Sequence, residues 1–308
     1  MASTKGRFIR IAAVILIILL ITPILLFLIR NPESITLNDE ERKNASGSFI
    51  QLSQGITHYE MTGVDTLGTV ILVHGFSVPY YIWDSTYYAL AKKGFRVVRY
   101  DTYGRGFSDR LQGDYTAEVY NKQLDDLIQI LKLKTPLHLM GLSFGGPVTS
   151  HFTATHPELV KSLTLMDPAI SLWNSSTPEF IMYAQTVIFS HKLSEQLSDF
   201  YKPENFPGWN EKYLPQMKYK GFIRSLVSTR YHYGVNPIES FKTIAKQGTP
   251  VLLIWGKQDP TTSFEGSKII NEILYPVFVP VDEAGHLPHM EKPGVVLPAM
   301  LDFSSKHC

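Results

Sequence analysis

Six short apolar runs of strand length, rich in β-branched residues, alternate with stretches of helical spacing, and this alternation restricts the fold more than any other feature. The runs are Thr69–Val73, Arg96–Tyr100, Leu137–Met140, Ser162–Met166, Val251–Trp255 and Val277–Val281. Runs that are apolar throughout, rather than at every second position, suit strands buried on both faces. Between them, Ile82–Lys93, Ala117–Leu131, Gly146–Thr155 and Ser263–Ile273 have helical periodicity. A helix between successive strands is the crossover that parallel pairing requires. The expected class is therefore α/β, with a mostly parallel sheet covered on both sides.

The alternation fails between about Ala169 and Gln247. This segment is dense in aromatic residues, among them Trp173, Phe180, Tyr183, Phe189, Trp209 and Tyr213, and has no convincing buried strand. It reads as a helical insertion whose aromatics pack onto the body of the protein or line an apolar pocket.

The first thirty residues stand apart. From Ile11 to Ile29 the run IAAVILIILLITPILLFLI carries no charge and follows Lys5, Arg7 and Arg10. At about 1.5 Å per helical residue it approaches the roughly 30 Å of a bilayer's hydrocarbon core. A cleaved signal peptide shares the basic start, but its apolar stretch is shorter and ends in small residues, whereas this one ends in LFLIRNPES. The expectation is a single-pass anchor. Basic residues flank it on both sides, Arg30, Arg42 and Lys43 matching the first three, so loop charge does not decide orientation. A basic start before the first apolar segment favours a cytoplasmic N-terminus, with the following domain extracytoplasmic or lumenal.

A net charge of +1 over 308 residues, with no Lys/Arg-rich patch, gives no footprint for nucleic acid. The single cysteine, Cys308, excludes an internal disulfide framework and a multi-cysteine metal site.

The chemistry centres on Gly141-Leu142-Ser143-Phe144-Gly145, which follows a predicted strand and opens a predicted helix. A serine hydroxyl is a weak nucleophile at neutral pH, so it must be exposed, given a base and provided with donors for the oxyanion. A sharp strand-to-helix turn exposes it, and the flanking glycines let the turn close. By composition roughly one chain in ten of this length carries G-x-S-x-G by chance, so its placement carries the argument. The loop after strand TVILV begins His74-Gly75-Phe76. In this architecture the backbone N–H groups of Phe76 and Phe144 are placed to form the oxyanion hole, while His74 is expected to be a buried residue that orders its loop. Among ten histidines, His286 in DEAGHLPHMEKP follows the last predicted strand and is the candidate general base; His289 is the alternative, expected as a satisfied surface histidine. The acid that orients the base is expected at Asp259 in WGKQDPTT, with Asp167 in LTLMDPA as its rival. Asp101, with Gly104 and Gly106, reads as a structured turn; Tyr100, Tyr103 and Arg105 receive no chemical role.

Taken together, HGF, DTYGRGFSD, GLSFGG, GKQDPT and AGHLPHMEKP, in this order, resemble the α/β-hydrolase superfamily from about residue 50 to 304. The resemblance implies an eight-stranded, mostly parallel sheet with a helical cap between strands six and seven. It also implies attack by Ser143, proton transfer by His286 and orientation by Asp259. Related epoxide hydrolases and haloalkane dehalogenases carry an Asp nucleophile, which Ser143 argues against. The anchor followed by such a domain is loosely similar to membrane-bound monoacylglycerol lipases. The implied layout is a basic tail at 1–10, an anchor at 11–29, a linker at 30–48, a body at 49–168 and 248–308, and a cap at 169–247. The expected function is hydrolysis of an apolar carboxylic ester through an acyl-enzyme, without cofactor or metal. C–C bond hydrolases and peptidases of the same fold, or an inactive anchored binding protein, are the alternatives.

Overall fold

The computed structural model describes residues 4–43, 45–171 and 175–308; Trp173 lies outside them. Helix α1 (Thr4–Arg30) carries the apolar run, with Gly6–Arg30 long and apolar enough to cross a membrane and none of its most apolar window buried against the protein. A short turn of helix, α2 (Asp39–Arg42), follows.

Among the described residues, eight strands form one sheet: β1 (Ser48–Gln51), β2 (Ile56–Thr62), β3 (Thr69–Val73), β4 (Arg96–Tyr100), β5 (Leu137–Leu142), β6 (Val160–Met166), β7 (Val251–Gly256) and β8 (Val277–Val281). Their order is β1-β2-β4-β3-β5-β6-β7-β8. β1 and β2 pair antiparallel and β2 joins β4 antiparallel, while every pairing from β4 to β8 is parallel. The six expected strands are present. β1 and β2, which the apolar-run criterion passes over, are strands of mixed polarity (SFIQ and ITHYEMT) held by backbone pairing, β1 at the edge of the sheet and β2 between it and β4.

Every residue of β3, β5 and β7 is buried. The two-residue strand period divides β3 between layers, Val70 and Leu72 entering one apolar cluster and Ile71 and Val73 the other. Each such fully buried side chain contributes about 1.5–3 kcal/mol relative to an exposed one. The helices of the body are α3 (Asp84–Lys92), α4 (Ala117–Ile130) and α5 (Gly145–Thr155). The insertion supplies α6 (Glu179–Ile188), α7 (Trp209–Met217), α8 (Phe222–His232) and α9 (Pro237–Gln247), followed by α10 (Gly266–Leu274), α11 (Pro288–Glu291) and α12 (Pro293–Lys306). α9 places Phe241 and Ile244 in the same apolar layer as Leu124 of α4 and Phe152 of α5.

Residues 31–35 run along the insertion. The N–H groups of Ser34 and Ile35 donate to Lys218 O, both at 2.9 Å. The Glu33 carboxylate accepts from Gly221 N at 3.0 Å and Ile223 N at 2.6 Å, where the α8 N-terminus presents donors without helical partners.

Candidate active site

Ser143 sits where β5 turns into α5 and has φ of 54°, a left-handed conformation that a non-glycine residue adopts only when its surroundings enforce it. The enforcement is visible in the backbone: Ser143 N donates to Met166 O at 2.9 Å, and Ser143 O accepts from Gly146 N at 2.9 Å and Ala169 N at 3.1 Å. The motif glycines are steric necessities. A Cβ at Gly141 would run into Gly145 O, and one at Gly145 would run into the carbonyl oxygens of Val73 and His74. Phe76 lies beside this turn, its ring edge-on to Phe144 with centroids 5.8 Å apart.

Asp259 and His286, 27 residues apart in sequence, meet after β7 and β8, with His286 Nδ1 2.8 Å from Asp259 Oδ2. Asp259 Oδ1 accepts from the N–H groups of Thr261 (2.7 Å) and Thr262 (2.9 Å), and Oδ2 accepts from Thr262 Oγ1 at 2.6 Å. Burial opposes the charge on Asp259, but the His286 hydrogen bond and charge, with the Thr262 donors, outweigh it and hold the acid below the ordinary carboxylate range. Burial likewise pushes His286 down, and its bond to Asp259 more than offsets this, leaving the imidazole raised above 6.5. Thr262, bonded to Asp259, also lines a cavity of about 450 Å³ together with Ser143 and Phe144.

The rival acid, Asp167, is not remote. It follows β6 with φ of 44°, is fully buried, and has a donor atom within 4.8 Å of those of Asp259 and His286. Three such groups could in principle hold a cation, but hydrogen bonds already engage His286 Nδ1 and both Asp259 oxygens.

His74 is buried as expected. Its Nε2 accepts from Thr102 N at 2.9 Å, so Nδ1 carries the proton and donates to Gly75 O at 2.8 Å, and burial lowers its pKa to about 4. His289 corrects an expectation: it is not a surface residue but fully buried, bonded through Nε2 to Ile82 O at 2.9 Å, with its pKa pushed down to about 4 by burial. The sequence places it in a polar loop, and only packing of α11 against the turn before α3 encloses it. Asp101 orders its turn, accepting from Tyr80 N (2.9 Å), Phe107 N (3.0 Å) and His58 Nδ1 (2.7 Å).

Arg105 gains a role that sequence reading misses. It is fully buried and donates from Nε to Phe76 O at 2.9 Å, from Nη1 to Tyr120 Oη at 3.0 Å and from Nη2 to Thr229 Oγ1 at 3.1 Å, bracing the Phe76 loop against α4 and α8. Its partners are distant in sequence, and no local pattern announces them. Of the insertion's aromatics, Trp209, Tyr213 and Phe222 are packed in the core, and Ala169, Ile170, Ser171 and Arg230 of the insertion line the Ser143 cavity.

A nucleophile-type turn, a buried Asp–His pair and an eight-stranded sheet of this order define the α/β-hydrolase fold, and the comparisons agree. The family described as "alpha/beta hydrolase fold" matches residues 68–214. Lipase 3 of Moraxella sp. (strain TA144) is 27% identical over 234 residues, covering 72% of each chain. Human monoacylglycerol lipase ABHD6 is 26% identical over 258 residues, 76% of this chain and 74% of that one. A thermophilic esterase from Thermogutta terrifontis superposes with a TM-score of 0.73 at 25% identity, over 86% of this chain and all of that one. The chain has the α/β-hydrolase fold and is similar in sequence to lipases and esterases that share it.

Proposed function

We propose that the protein is a membrane-anchored serine hydrolase that cleaves carboxylic esters of apolar character through an acyl-enzyme on Ser143. The observation that carries this reading is the buried Asp259–His286 pair, joined through Thr262 to the cavity lined by the left-handed Ser143. In the mechanism, Asp259 keeps the proton of the neutral imidazole on Nδ1, which leaves Nε2 to take the Ser143 proton as Oγ attacks the ester carbonyl. The Phe76 and Phe144 N–H groups and the α5 N-terminus stabilise the oxyanion. His286 then returns the proton to the departing alcohol, and water repeats the sequence to release the acid. The lipase and esterase names of the relatives support an ester substrate, and the monoacylglycerol lipases among them support a lipid ester.

The exposed α1 supports an anchor, and the hydrogen bonds of Glu33, just after α1, to the insertion support a cap that lies beside it. The reading puts the N-terminus in the cytoplasm and the catalytic domain on the far side; protease protection of the domain in sealed vesicles is the expected result, and digestion from the cytoplasmic face reverses the orientation. Labelling by a fluorophosphonate serine probe tests the nucleophile: it is expected in the wild type and absent in Ser143→Ala, and equal labelling of both refutes the assignment. A p-nitrophenyl ester series of increasing chain length then measures the pocket.

One observation favours a second reading. Arg230 lines the cavity, and its buried Nε has no hydrogen-bond acceptor among the described residues, as suits a substrate with an anionic group such as a C–C hydrolase of this fold would bind. A preference for p-nitrophenyl hemisuccinate over p-nitrophenyl butyrate, lost in Arg230→Met, is the result that would favour it.

A further inference from the structure

Two buried carboxyl groups stand behind the candidate base, although one is enough to orient it. Asp167 follows β6 and Asp259 follows β7, neighbouring parallel strands, so their loops emerge side by side at one edge of the sheet. Their surroundings differ sharply. Asp259 accepts four hydrogen bonds, from Thr261 N, Thr262 N, Thr262 Oγ1 and His286 Nδ1. Asp167 accepts one at its carboxylate, Gly256 N to Oδ1 at 2.8 Å, and its buried Oδ2 is reached by no N–H or O–H donor among the described residues. An ionised oxygen left without a donor in a dry site is costly, and two such anions side by side are worse, so the group with fewer donors takes the proton.

We infer that Asp167 is a positioning residue, a neutral carboxylic acid at physiological pH whose Oδ2–H donates to the Asp259 carboxylate and holds it against His286. This rests on the reading of Asp259 and His286 as the acid and base of the site. The electrostatics agree: burial first, then the charge of Asp259 and a side-chain hydrogen bond with it, lift Asp167 well above the ordinary carboxylate range. Such a bond needs one proton between the two acids. The other ionisable groups whose charge reaches the cluster are His286 itself, Glu291, which favours keeping Asp167 neutral, and Asp199, which favours the charged imidazole.

The backbone decides which variants are informative. With φ of 44°, position 167 tolerates Asn and Gly but strains Ala. Asp167→Asn keeps an acceptor for Gly256 N and a donor for Asp259, so its kcat is expected within a factor of about three of wild type, because the hydrogen bond survives. Asp167→Gly keeps the backbone and loses the donor; kcat is expected to fall about 10- to 100-fold, the worth of a hydrogen bond to a charged acceptor, with KM little changed. In the Gly variant the Asp259 charge is shared only with Thr261, Thr262 and His286, which favours the imidazolium, so the acid limb of the pH–rate profile moves to higher pH. In the Asn variant it stays in place. An infrared difference spectrum of wild type against Asp167→Asn should contain the carbonyl stretch of a buried protonated acid at neutral pH. Absence of that band overturns the inference, as does an Asn variant damaged as severely as Asp259→Asn, or a Gly variant with unchanged kcat and pH profile. The infrared readout needs no turnover, so it stands even if Ser143→Ala still labels and the proposed function fails.

Discussion

The substitution Asp259→Asn tests the orientation of the base in a way the structure makes unusually specific. The amide has one acceptor and one donor end, and Oδ1 already accepts from two fixed backbone N–H groups, those of Thr261 and Thr262. Reversing the amide would set its NH2 against both, so the oxygen must remain there and Nδ2 must face His286 Nδ1. A donor at that place forces Nδ1 to accept and moves the ring proton to Nε2, the nitrogen that must take the proton from Ser143. The variant therefore folds with nearly the same geometry and the wrong tautomer. Wrong-tautomer variants of such triads lose about 10⁴-fold in kcat, or about 5.5 kcal/mol of barrier. Steady-state hydrolysis of p-nitrophenyl butyrate, with circular dichroism as a check on folding, measures it. A kcat within about tenfold of wild type would refute the reasoning and return the role of acid to Asp167.

Three further outcomes follow from the geometry of the site. The proposed mechanism needs neutral His286, whose pKa is raised above 6.5, so kcat/KM should fall on the acid side through a midpoint above that value, in a pH–rate profile on a substrate that does not itself ionise. The associated stability runs the opposite way: the stabilisation from the charged imidazole is complete below 6.5 and is lost as pH rises through the folded-state value, while that from Asp259 is present above its ordinary value of 3.8 and is lost as pH falls, and melting temperatures across pH separate the two. Arg105→Met removes the donor to Phe76 O while retaining much of the buried stem; kcat should fall about 10- to 100-fold with a smaller change in KM if, as proposed, the loop positions the oxyanion rather than binding the whole substrate.

Much of the molecule was legible in its sequence, for local physical reasons. Short apolar runs mark strands of a parallel sheet, so β3 to β8 could be read directly, although β8 is an edge strand and only partly buried, as could the turn at Ser143 between a strand and a helix. The apolar α1 is visible because its run is continuous in the sequence, long and apolar enough to cross a membrane. What escaped depended on partners far along the chain. Strands β1 and β2 owe their place to backbone pairing, β2 with β4 and β1 with β2, rather than to their own pattern. His289 reads as polar surface until α11 is packed into place, and Arg105 reads as a loop residue until Phe76, Tyr120 and Thr229 converge on it. The choice between Asp167 and Asp259 was posed by the sequence as a contest, because both end a strand. Only the tertiary structure sets the two carboxyls together and gives one of them four donors and the other a single one, and that inequality, which spacing along a chain cannot express, separates the charged acid from the neutral one.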